Sequence, residues 1–183
     1  MMIPISSAYA EDIGVVHARG VVNQQGEMLV STRFNVSLPS QLGNALKQGV
    51  SLNFKLVYSL DAPTYTAYKL KVSNWFAEGA SINYKLSYNP LVTKGYRVRV
   101  GTLTVGDYAT LDEALLRIGG ISNWTVLNKG TLNGISVGDI RATVRLSLSM
   151  DDLPKPFQIN GLTSRKWNLD SGWVRVAISK ERK

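Results

Sequence analysis

No cysteine occurs in this 183-residue chain, and there is one histidine, His17. Without thiols there is no disulfide, no thiolate nucleophile and no cysteine-type zinc site. The absence leaves export open, because exported proteins are permitted disulfides but do not require them. No Ser, Cys or acid stands beside His17 in a catalytic spacing, so a structural or surface role is expected for it. Metal would need an oxygen-rich site. Acidic pairs are few: Asp112-Glu113 fits a helix start, and Asp151-Asp152 fits a turn before Leu153-Pro154-Lys155-Pro156. No metal and no cofactor are therefore expected. Phosphate loops, nucleophile elbows and dinucleotide fingerprints are also missing. No apolar run reaches the roughly 18 residues of a membrane span, so none is expected.

Acidic charge is the minority sign. The chain has 21 Lys and Arg against 13 Asp and Glu, a net charge of +8. A basic surface suits anionic partners such as nucleic acid, lipid headgroups, lipopolysaccharide or an acidic protein. The excess is scattered, and only Lys180-Glu181-Arg182-Lys183 is dense. Two pairs stand out: Arg97 with Arg99, and Arg141 with Arg145. Positions i and i+2, or i and i+4, of a strand point the same way. Were the two strands neighbours, four guanidiniums would converge on one wet surface. These four arginines are the candidate binding site for an anionic partner. The alternative is that they pair with nearby acids or keep the face soluble.

Ser6-Ser7-Ala8-Tyr9-Ala10, followed by Glu11-Asp12, reads as a small-x-small signal-peptidase site with cleavage after Ala10. Met1 to Ile5 is too short and lacks a basic residue, so the true start is expected upstream. Residues 1–10 are then a signal-peptide remnant and residues 11–183 one domain, exported to the periplasm or beyond. An ordinary N-terminus is the alternative.

Period-2 alternation dominates the rest. Met28, Val30, Thr32, Phe34, Val36 and Leu38 share one face, as do Val50, Leu52, Phe54, Leu56, Tyr58 and Leu60. The pattern recurs in Tyr68–Val72, Ala80–Tyr88, Ile140–Met150 and Val174–Ile178. Sheets with one buried and one wet face follow. The expected fold is mainly β, a two-sheet antiparallel β-sandwich of seven to nine strands, immunoglobulin-like in general architecture. Gly101 breaks the phase of the strand at 96–105, which predicts a bulge. Two short helices interrupt the strands. One spans Leu38–Gln48, with Leu42, Ala45 and Leu46 on its apolar face and Gly49 as its stop. The other begins with the capping box Thr110-Leu111-Asp112-Glu113, and buries Leu111, Ala114, Leu115 and Ile118. Trp75, Trp124, Trp167 and Trp173 are expected in core or rim packing, with a stacking platform as the alternative. Asn35-Val36-Ser37 and Asn123-Trp124-Thr125 match glycosylation sequons.

Two stretches carry a resemblance. One is Leu86–Val98, with Asn89-Pro90-Leu91 and Lys94-Gly95-Tyr96. The other holds Leu153-Pro154-Lys155-Pro156 and then Trp167-Asn168-Leu169-Asp170-Ser171-Gly172-Trp173. With the helix between them, they resemble an uncharacterised family of exported Gram-negative proteins, defined only as a domain of unknown function. The resemblance implies an all-β protein with a signal peptide. It also implies genes beside a membrane sensor kinase of the nitrogen-regulation type, hence a sensing or accessory role. It supplies no catalytic or binding residues. The expected function is a non-enzymatic periplasmic binding or accessory module for an envelope protein or anionic envelope component. An envelope enzyme working with carboxylate, Tyr and Arg is the alternative. Nucleic-acid binding is a weaker one, because the exposed faces carry Ser, Asn and Lys more than aromatics.

Overall fold

The computed structural model describes residues 13–61, 81–163 and 167–182. The leader, the strand expected at Tyr68–Val72 and Trp75 lie outside them. The fold is mainly β and sandwich-like, with a four-stranded and a six-stranded sheet. In chain order the elements are β1 (Ile13–Val22), β2 (Met28–Val36), α1 (Ser40–Lys47), β3 (Leu52–Asp61), β4 (Ser81–Tyr88), β5 (Tyr96–Val100) and β6 (Leu103–Tyr108). Then come α2 (Leu111–Gly119), β7 (Gly120–Leu127), a 3-10 turn at Val137–Asp139, β8 (Arg141–Leu148), α3 (Lys155–Thr163), β9 (Val174–Arg175) and β10 (Ala177–Lys180). The smaller sheet runs β10-β1-β2-β7, and the larger runs β6-β5-β4-β3-β8-β9. All described pairings are antiparallel except β1 with β10.

The alternation read from sequence sets what is buried. Met28, Val30 and Phe34 of β2 are buried, as are Leu52, Phe54, Leu56 and Tyr58 of β3 and Ala142, Val144, Leu146 and Leu148 of β8. They join one core, with the odd-phase residues facing water. Among the described residues the chain changes sheet four times. α1 carries it from β2 to β3, and α2 from β6 to β7; the 3-10 turn leads from β7 to β8. The last step is Val176 alone: it is buried, its amide donates to Ala142 at 2.9 Å, and β9 and β10 on either side lie in different sheets.

Both expected helices form. α1 buries Leu42, Ala45 and Leu46 and stops at Gly49, where φ is 95°. In α2 both halves of the capping box close: the Glu113 amide donates to Thr110 Oγ1 at 3.3 Å, and the Thr110 amide donates to Glu113 Oε2 at 3.4 Å. Three details differ from expectation. Gly101 makes a two-residue hairpin turn with Thr102, at φ 59°, so the strand expected at 96–105 is two strands. The phase break marks a reversal, and the only register shift in that pair falls between Val98 and Arg99. The expected strand Val174–Ile178 also divides, at Val176, which brings the described strands to ten. A third helix, α3, forms where none was expected; Pro156 sits in its first turn, where a missing amide hydrogen costs nothing.

α2 passes into β7 without a loop, and Gly119 makes that possible. A Cβ there would lie 2.2 Å from the Phe34 carbonyl oxygen. Gly119→Ala should therefore destabilise the fold by about 2 kcal/mol or more, the scale of overpacking against a fixed backbone. Leu116→Ala on the exposed side of the same helix should stay within about 0.5 kcal/mol. Chemical denaturation of the two variants compares them directly.

Candidate functional site

All four candidate arginines lie on the outer face of the six-stranded sheet. They do not converge directly. Arg97 and Arg99 are on β5, Arg141 and Arg145 are on β8, and β4 and β3 run between them. Three strand spacings set the two pairs about 14 Å apart. Two of the four are also neutralised in place. Arg97 forks onto Asp107 of β6, with Nε to Oδ1 at 2.6 Å and Nη2 to Oδ2 at 3.0 Å. This fork, helped by Lys94 and Arg99 nearby, holds the Asp107 carboxyl below the usual range. Arg145 donates from Nε to Asp170 Oδ1 at 2.8 Å and from Nη2 to Oδ2, and its guanidinium lies 5.8 Å from the centre of the exposed Trp173 ring.

The gap between the pairs is filled by two lysines. Lys85 of β4 stands directly opposite Arg99 in register, and opposite Asn53 of β3 on its other side. Lys55 of β3 stands opposite Asn83 of β4 and Ser147 of β8. Their neighbours are polar, and a depression of about 340 Å³ opens among Asn53, Lys55, Asn83 and Lys85, bounded by Gly101 and Asp152. Arg175 of β9, opposite Thr143, extends the same face at its far edge. Among the described residues, Lys55, Lys85, Arg99 and Arg175 make no salt bridge, and Arg141 stands opposite Asp61 of β3 in register. Lys55, Lys85 and Arg175 were not singled out from sequence. The signal was their polar phase, but nothing in the sequence pairs β3 with β4 across the nineteen intervening residues.

The remaining candidates have structural roles. Trp124 is buried edge-on against Tyr58, with ring centres 6.4 Å apart and planes at 80°. Trp167 is buried, stacks on Phe157 and donates to Gln41 Oε1 at 3.0 Å. The segment from Trp167 to Trp173 is a strap along β8: Leu148 donates to the Leu169 carbonyl, and Leu146 and Ser171 exchange two bonds. His17 is opposite Arg33 on the outer face of the smaller sheet, beside a depression of about 390 Å³. There Arg33 and Arg117 donate to Leu116 and Gly120 carbonyls at the C-terminal end of α2, where cations are favoured. Asp151 and Asp152 lie in the turn after β8. Among the described residues no three His, Asp or Glu side chains gather as metal ligands, and no helix is long and apolar enough to cross a membrane.

A family match covers residues 13–177, under the description "Domain of unknown function (DUF4390)". The chain belongs to this family. No curated protein and no solved structure gives a match.

Within the DUF4390 domain, the Asp170 site yields a pH signature. Burial pushes its carboxyl up, but the Arg145 guanidinium and the Gly172 amide outweigh burial and hold it below the usual range. A carboxyl depressed on folding stabilises fully above its unfolded pKa of about 4, and that contribution is lost as pH falls through the lower, folded value. Asp170→Asn should cost about 1 kcal/mol at pH 7, a modest figure because Arg145 is partly exposed. The gap between wild type and variant should narrow in melts taken as pH falls below about 4.

Proposed function

We propose that this DUF4390 domain is a non-enzymatic binding or accessory module of the bacterial envelope, and that the outer face of its six-stranded sheet receives an envelope protein or anionic envelope component. One observation carries the reading: Lys85 and Arg99 are direct cross-strand neighbours. Like charges in that position destabilise a sheet. Asp107, the acid of the neighbouring strand β6, has both oxygens engaged by Arg97. A fold that keeps an unfavourable pair on an open face is consistent with a surface kept for binding rather than for stability. The Ala8-Tyr9-Ala10 site supports placing the domain outside the cytoplasm, and a membrane sensor kinase is the accessory partner that the family resemblance suggests.

The reading separates stability from binding in a single variant. Lys85→Glu turns the repulsive pair into an attractive one and should raise stability by about 0.2–1 kcal/mol. The same variant should lose salt-sensitive partners in a pull-down from envelope extracts. If it captures the same partners in the same amounts as wild type, this face is only a solvated surface.

A further inference from the structure

We infer that the partner on this face is the phosphate surface of an anionic lipid bilayer, met through Lys55, Lys85 and Arg99 at its centre. The inference rests on the binding-module reading and names its ligand. Width argues for an extended partner. Among the described residues, cations without a salt bridge run from Arg99 on β5 to Arg175 on β9, about 19 Å across four strand spacings. That exceeds the screening length of about 8 Å at physiological salt, so one small anion reaches only part of the set. A plane of phosphates reaches all of it.

Composition argues for lipid over protein. Protein hot spots favour Trp, Tyr and Arg, and protein interfaces are depleted in Lys and Ser. The centre of this face is Asn53, Lys55, Asn83, Lys85 and Ser147, and its exposed aromatic, Trp173, is at the edge and engaged with Arg145. Lysine serves as a compact point charge for phosphate, and the depression between Lys55 and Lys85 has room for a headgroup.

An apolar tip lies at one end of the two strands that carry Lys85 and Arg99, where β4 ends three residues beyond Lys85. The loop between β4 and β5 presents Leu91, 90% exposed, and Val92, 49% exposed, beside Lys94. The loop is held in shape: Asn89 donates to the Gly95 carbonyl at 2.8 Å, and Leu91 donates to Asn89 Oδ1 at 3.0 Å. Apolar side chains next to basic ones are the composition of a surface that dips into a headgroup layer.

The test is co-sedimentation of the full chain with vesicles of phosphatidylcholine alone or with one third phosphatidylglycerol. Binding is expected only to the anionic vesicles, and should weaken as salt rises. Lys55→Ser and Lys85→Ser should each weaken it about fivefold, and the pair about 25-fold. Leu91→Ser should weaken it further, whereas Lys129→Ser, on a loop after β7, should stay within about twofold because it lies off the face. Equal loss from Lys129→Ser would mean that net charge alone drives binding, and would overturn the inference. So would displacement by millimolar glycerol phosphate, which would mark a site for a soluble anion. If vesicles are ignored while envelope proteins are still captured through Lys85, the lipid surface is wrong and the binding module stands. If neither binds, both readings fall.

Discussion

The register of β3 is the constraint on which the rest depends. Its even residues Leu52, Phe54, Leu56 and Tyr58 are buried, while Asn53, Lys55 and Val57 face outward. Both neighbours, β4 and β8, are paired to it in fixed register. A slip of one residue would put Lys55 into the core and Phe54 into water. Burial of the large apolar side chains, worth about 1.5–3 kcal/mol each, forbids it. The same register that builds the core therefore places Lys55 beside Asn83 and Ser147, and through β4 places Lys85 beside Asn53 and Arg99.

Charge on the outer face follows a spatial division. At the β5–β6 edge Arg97 is matched by Asp107, and towards the β9 edge Arg145 is matched by Asp170. The middle strands carry cations and amides without a carboxylate opposite them in the described register. Exposed ion pairs contribute little to stability one at a time, so the edge pairs serve geometry more than energy. The Arg97 fork bridges two adjacent strands, and the Arg145 contact ties β8 to the strap that holds Trp173. What is left at the centre is Lys55 and Lys85 over an open, polar depression with Asp152 at its margin.

Much of the fold is legible in the sequence because the buried alternation is strict. β2, β3 and β8 each keep one apolar phase over their length, and the Thr110–Glu113 box announces α2. The failures have local causes. Gly101-Thr102 reverses the chain within an alternating run, and a phase break looks the same for a bulge and for a two-residue turn. α3 was hidden because Lys155-Pro156 reads as a helix breaker unless it is placed in the first turn. The site was legible only in part. Strand alternation puts Arg97 and Arg99, or Arg141 and Arg145, on a common side, but strand order is a long-range property. That β4 and β3 lie between the two pairs, and bring Lys85 and Lys55 with them, is fixed by pairings across the whole domain. The Trp167–Trp173 stretch, the most recognisable part of the sequence, proves to be a strap that fastens β8.

The central claim is that the outer face of the six-stranded sheet is the working surface of this DUF4390 domain. Amide chemical shifts recorded while small anionic bicelles are added at physiological salt test it most directly. The account predicts shifts concentrated at Asn53, Lys55, Asn83, Lys85 and Arg99, with the His17–Arg33 side of the smaller sheet unmoved. Shifts spread evenly over all basic residues, or centred on the smaller sheet, would contradict it.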